Sequence, residues 1–127
     1  MQKKQLFEYA VIRVVPRVER EEFLNVGVIL YCAGQKFLKC AFEVNESRLK
    51  AFSCEIESEI ILSNLRSIEK ICCGELEGGP IGQLDMPSRF RWLTATRSTV
   101  VQASKVHPGF CIDATETLQK LFRQLVL

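Results

Sequence analysis

The stretch FLNVGVILYCAGQKFLKCAFEV, residues 23–44, decides how the chain folds. Its first ten residues are β-branched, aromatic or aliphatic almost throughout, as a strand covered on both faces requires. Alternation places Leu24, Val26, Val28, Leu30 and Cys32 on one face, and Phe23, Asn25, Gly27, Ile29 and Tyr31 on the other. AGQK, residues 33–36, then reads as a turn. The segment 37–44 alternates strictly, with Leu38, Cys40, Phe42 and Val44 inward and Lys39 outward. Two strands joined by so short a connection pair antiparallel. Glycine inside a strand marks a bulge or a close approach, and Gly27 with the polar Asn25 beside it predicts a bulge in which Asn25 bonds to backbone.

Working outward, LFEYAVIRVV (6–15) is a further strand, ended by Pro16, which has no N–H to donate to a ladder. If this strand pairs with the next as a hairpin, Arg13 and Asn25 meet near one end of the sheet. After residue 44 the apolar period changes. From Asn45, a helix N-cap, Leu49, Phe52, Ile56 and Ile60, then Ile61, Leu65, Ile68 and Cys72 recur at helical spacing, with a shift that predicts a break around residues 53–58. Gly74 is a helix stop, and the glycine- and proline-rich residues 74–87 read as a loop. Residues 98–106 have the composition of a fourth strand. Asp113 and Glu116, in capping-box spacing, open an amphipathic helix over 113–127 with Leu118, Leu121, Phe122 and Leu125 as its apolar stripe. The order predicts an α+β domain: an antiparallel sheet of about four strands, a meander plus a later strand, covered on one face by two to three helices.

At 127 residues, 47% hydrophobic and 25% charged, the chain has the length and composition of a single globular domain spanning residues 1–127. No apolar run reaches the roughly 20 residues of a membrane helix. Glu8 and Arg13 interrupt any secretory signal core, so a cytoplasmic location is expected. The six cysteines have no C-x-x-C spacing, and with one histidine they read as reduced core thiols, with no metal or cofactor expected. The net charge of +2 is unevenly spread: no Asp or Glu lies between Asp85 and Asp113. That pattern speaks against a general nucleic-acid coat and allows a focused anion site.

Within that basic interval, RFRWLTATRSTVVQAS (89–104) carries three arginines, the single tryptophan and a run of hydroxyls. A helical turn over 88–95, capped by Asp85 or Ser88, directs Arg89 and Arg91 about 200° apart. An extended chain directs both the same way, opposite Phe90 and Trp92. Pro87 and Ser88 favour the helix, with Phe90, Trp92 and Leu93 anchoring it to the core. Arg97, with Ser98 and neighbouring hydroxyls, has the donors to hold a phosphate or carboxylate. On a continuous strand Lys105 lies about 27 Å from Arg97, whereas Lys105 and His107 are about 7 Å apart and share a face. The binding candidates are therefore Arg97, Ser98, Arg89, Arg91, Lys105, His107, Arg13 and Asn25. The competing reading pairs these arginines with the acidic segments 55–59 and 75–77. His107 is the weak candidate for a catalytic base, with no second acid–base group placed beside it by the sequence.

YAVIRVVPRVEREEFLNVGVIL (9–30) and RFRWLTATRSTVVQASKVHPG (89–109) resemble the two diagnostic segments of the bacterial family known as domain of unknown function 3037. Matching positions are Arg13, Pro16, Glu22, Phe23, Asn25, Gly27, Arg89, Phe90, Trp92, Arg97, Ser98, His107 and Gly109. The chain departs from the pattern at Thr96, where many members have proline before the arginine. The resemblance implies no defined activity. Members are often encoded beside a kinase-like protein of the persistence-toxin type, which implies a protein partner and a non-enzymatic interaction or regulatory role. The residues themselves leave open an anion-binding domain for nucleotide, phosphopeptide or nucleic acid, and a small phosphohydrolase or nuclease.

Overall fold

β1 (Gln5–Val14) is the centre of the sheet and every other strand is arranged about it. The structure is a computed structural model that describes residues 3–16, 22–52, 57–74, 76–95 and 100–127. β2 (Leu24–Cys32) pairs antiparallel with one edge of β1, and β3 (Phe37–Phe42) pairs antiparallel with β2. β4 (Val101–Ala103) and β5 (His107–Cys111) share the other edge of β1, so five strands run in an open antiparallel sheet. The helices are α1 (Glu46–Phe52), α2 (Ser58–Cys73), the single turn α3 (Gly79–Gly82), α4 (Met86–Thr94) and α5 (Ala114–Leu125). The fold is the expected α+β class.

Its details differ from the sequence reading in four places, each for an identifiable reason. The sheet is covered on both faces. Ala10, Ile12, Val14 and Ile29 pack with Leu49 of α1, Ile61 and Leu65 of α2, and Phe90 and Leu93 of α4. Phe7, Val28, Leu30 and Cys32 pack on the opposite side with Ala114 and Leu118 of α5. β1 and β2 are apolar on both faces because both faces are buried.

The second difference lies in β2. The pairing register shifts between Ile12 and Arg13, so Ile12 faces Gly27 but Arg13 faces Asn25. The bulge inserts one residue into β2 and flips the alternation. Leu24 and Val26 therefore pack with the α2–α4 layer, while Val28, Leu30 and Cys32 pack with α5. In β3, with no such shift, Leu38, Cys40, Phe42 and Val44 do face one layer together.

Third, the fourth strand is short, and a fifth follows it. Ile12 pairs with Ala103 and Tyr9 with His107, so Ser104, Lys105 and Val106 span the two residues Ala10 and Val11. The buried Ser104 Oγ bridges this irregularity: it accepts from the Val11 N–H at 2.8 Å and donates to the Lys105 carbonyl at 2.9 Å. Pro108 is tolerated in β5 because that strand has β1 on one side only. Fourth, residues 74–87 are not a plain loop: a 3-10 turn (Leu76–Gly78) and α3 occupy half of them, and α4 begins at Met86.

The predicted caps are present. Asn45 Oδ1 accepts from the Arg48 N–H at 3.0 Å, and Asp113 Oδ1 from the N–H groups of Thr115 and Glu116. The expected break near residues 53–58 separates α1 from α2, and residues 53–56 lie outside the described residues. α5 is pinned at both ends. Gln35 donates to the Ile112 carbonyl and accepts from the Ala114 N–H, while Asn25 and Arg48 donate to the Leu125 and Val126 carbonyls.

Candidate functional site

Arg89 is the residue of the basic segment that the fold uses most heavily. Asp85 caps α4 through a 2.9 Å bond from the Ser88 N–H, with Pro87 in the first turn, so the segment is helical. Ser88 first, and the nearby Arg91 and Arg89 charges second, hold the Asp85 carboxyl below its ordinary value. The helix turns Arg89 inward and Arg91 outward, as the 200° separation requires. Arg89 is only 8% exposed. Its Nε donates to the Leu84 carbonyl at 3.1 Å, and its Nη1 to the carbonyls of Ile71 and Cys72 at 2.9 and 2.7 Å. A cation at the C-terminus of α2 meets the negative end of the helix dipole; it gives the Cys72 carbonyl a donor and the Ile71 carbonyl a second one beside the Gly74 N–H. The positive φ of Gly74, 72°, ends α2 beside it, and a Cβ there would fall 2.7 Å from Nη1.

The other predicted residues go elsewhere. Arg13 and Asn25 are cross-strand partners at the bulge, on the face that α5 covers. The Arg13 guanidinium lies 3.9 Å above the Phe23 ring, and Arg13 Nε and Asn25 Oδ1 are buried without a hydrogen-bond partner. His107 is exposed at the start of β5, its ring 5.3 Å from that of Tyr9 on the α5 side. Lys105 is exposed in the irregularity between β4 and β5. Arg97 and Ser98 lie outside the described residues. Arg89 is thus on one face of the sheet, with Arg13, Asn25 and His107 on the other. Trp92, expected to anchor α4, is 39% exposed, and Phe90 and Leu93 do the anchoring. Among the described residues, no group of three His, Cys, Asp or Glu side chains could hold a metal ion.

Two features escaped the sequence reading. The first is an open cavity of about 590 Å³ between β3, the C-terminus of α2 and α4. Arg89 lines it with Lys36, Lys39 and Glu69, and Phe37, Leu38 and Met86 give it an apolar wall. Cys40, Cys72 and Cys73 also line it. The hydrogen bond that Cys72 shares with Cys40, followed by burial, pushes the Cys72 thiol far above its ordinary value. On the other face, burial and then the neighbouring Cys32 raise the Cys111 thiol. The outward position of Lys39 was legible from alternation, and the side chain lies with Phe37 on the α5 side of the sheet, away from Arg89.

The second feature is an apolar surface at the end of β1. Leu6 and Phe110 are cross-strand partners, 53% and 69% exposed, and Ile112 beyond them is 49% exposed. Even-numbered residues of β1 face the α2–α4 layer, and α4 covers Tyr31, opposite Glu8, through a 5.3 Å ring contact with Phe90. Leu6 lies two residues further out, beyond that cover. Glycine at 109 is required here, since a Cβ would fall 2.6 Å from the Phe7 ring.

An open antiparallel sheet with helices on both faces, a structural arginine latch and no assembled catalytic cluster among the described residues defines a small α+β domain. The chain belongs to the family described as protein of unknown function DUF3037, whose profile matches residues 9–126. No curated protein and no solved structure matches it. Among the described residues, no helix is long and apolar enough to cross a membrane.

Proposed function

We propose that this chain is a non-enzymatic regulatory module that docks a protein partner through the surface of β1 and β5. The observation that carries the reading is the bare cross-strand pair Leu6 of β1 and Phe110 of β5, with Ile112 just beyond the end of β5. Single exposed apolar residues are ordinary, whereas a contiguous set marks an interaction surface. Pro108 in β5 lacks an N–H, which weakens edge-to-edge strand pairing and leaves the side chains as the recognition elements. The family resemblance supplies the partner class, a kinase-like protein encoded nearby in a bacterial cytoplasm. Aromatic anchors dominate such interfaces, and truncating one weakens binding by about 2 kcal/mol or more. The test is titration of the purified kinase-like neighbour against wild type and Phe110→Asp. Binding by the wild type and its loss in the variant, at unchanged thermal stability, supports the proposal. A wild type that ignores the partner refutes it.

A further inference from the structure

β3 ends the sheet on the side away from β4 and β5, and among the described residues no strand pairs with its outer edge. One bond fixes which way its main chain points. The Glu43 N–H donates to the Val26 carbonyl at 2.8 Å, in the register that sets Phe42 opposite Gly27 and Cys40 opposite Ile29. In an antiparallel ladder both main-chain groups of a residue point to one side, and successive residues alternate. Lys39, Ala41 and Glu43 therefore bond to β2, while Leu38, Cys40 and Phe42 turn their N–H and C=O groups outward. The open cavity of about 590 Å³ runs along this edge. Lys36, Phe37, Leu38, Lys39 and Cys40 all line it, although their side chains alternate between the two faces of the sheet. What these consecutive residues share is the main chain at the edge.

Unpaired edges recruit other strands, and a lysine in mid-strand ordinarily prevents this, because the incoming strand offers its charge no partner. β3 carries that lysine, Lys39, exposed on the α5 side, and carries a matching carboxylate in Glu43, also exposed. A two-fold axis at Ala41 sets Cys40 opposite Phe42 of a second copy, and Lys39 opposite Glu43 of that copy. Cys40 and Phe42, whose main chains point outward, then form hydrogen-bonded pairs that exchange both N–H···O bonds. Lys39 and Glu43 fall in non-hydrogen-bonded pairs, where Cα atoms are about 4.5 Å apart and side chains approach most closely. Opposite charges in such positions stabilise pairing. On the α2 side the half-buried Cys40 and Phe42 cover each other, which extends the core across the axis. An axis at Cys40 would satisfy the main chain equally but set Lys39 against Ala41 and Glu43 against Phe37, so charge selects the axis at Ala41. We infer that β3 is a self-association edge, through which two copies join antiparallel into one continuous sheet. The edge lies across the sheet from the β1–β5 surface and is independent of it, so each copy keeps its own docking surface open.

Sedimentation velocity of the full chain from about 1 to 500 µM reads the association, and a dimer with a dissociation constant of about 100 µM or tighter is expected. Lys39→Glu turns two attractions into repulsions and should weaken the dimer about tenfold or more, and Lys39→Glu/Glu43→Lys should restore it. Both side chains are exposed, so these variants keep the wild-type melting temperature within a few degrees. Ala41→Cys places a thiol on the axis, at a Cα separation within the range a disulfide spans. Oxidation of that variant with diamide, followed by proteolysis and mass spectrometry, should link position 41 of one copy to position 41 of the other. A chain that is monomeric at about 500 µM overturns the inference. So does a dimer that Lys39→Glu leaves intact, and one that Phe110→Asp abolishes instead has its copies joined at the β1–β5 surface. A dimer that the charge exchange does not restore, or that does not cross-link at position 41, overturns the register.

Discussion

Replacing Arg89 with methionine keeps an apolar stem in place and removes the charge that closes the end of α2. The Cys72 and Leu84 carbonyls then lose the Arg89 donor, and the Ile71 carbonyl keeps only the Gly74 N–H at 3.2 Å. Hydrogen bonds to a charged group are each worth about 1.5–3 kcal/mol, but water recovers part of that at a cavity wall, so the loss is about 3–5 kcal/mol. A chain of this length has a stability of order 10 kcal/mol, so the melting temperature should fall by about 10–20 °C. Gly74 makes the argument sharper. Alanine at 74 carries two separable penalties: the left-handed backbone, about 1 kcal/mol, and the collision of its Cβ with a pinned guanidinium at 2.7 Å. With methionine at 89 the second penalty disappears. A double-mutant cycle of Arg89→Met and Gly74→Ala, measured by urea unfolding followed by circular dichroism, should therefore show a coupling of about 1–2 kcal/mol. An Arg89→Met protein within 1 kcal/mol of wild type, or a Gly74→Ala penalty equal in both backgrounds, would refute the latch.

Three further perturbations test other parts of the structure. The Cys72 thiol is raised in the fold, so its contribution is fully present below the unfolded-state value of about 8.5 and is lost as pH rises above it, at about 1.4 kcal/mol per pH unit. Urea unfolding between pH 8 and pH 10 should show that slope in wild type and a flatter one in Cys72→Ala; equal slopes contradict the assignment. Gly27→Ala brings a Cβ to 2.7 Å from the Ala41 carbonyl oxygen of the paired strand, and a destabilisation of about 1–3 kcal/mol is expected by chemical unfolding. Ser104→Ala strands the Val11 N–H inside the sheet and should cost about 1–3 kcal/mol, with faster amide exchange at Val11. Val11 protection unchanged in that variant would remove Ser104 from its bridging role.

Where the sequence was legible, a single physical signal governed the element. The alternation of residues 37–44 survives intact because β3 has no bulge, and the caps at Asn45, Asp85 and Asp113 act within one turn of chain. β2 shows the limit. Gly27 and Asn25 announced a bulge, but only the register against β1 reveals that Leu24 and Val26 face the opposite layer from Val28 and Leu30. β5 was hidden because HPGFC lacks strand propensity and needs only one partner, β1, to form. The candidate site was less legible than the fold. Density of arginines along the chain drew attention to residues 89–97, yet α4 turns Arg89 inward and Arg91 outward. Lys36, which lines the cavity with Arg89, comes from the β2–β3 connection, about fifty residues earlier in the chain. No spacing rule joins them.

The most direct test of the functional account is the affinity of the kinase-like neighbour for the Phe110→Asp protein, measured beside its melting temperature. The account predicts binding weakened by at least about 2 kcal/mol, roughly thirtyfold, with a melting temperature within a few degrees of wild type, because Phe110 is 69% exposed. An unchanged affinity in a folded variant would contradict it.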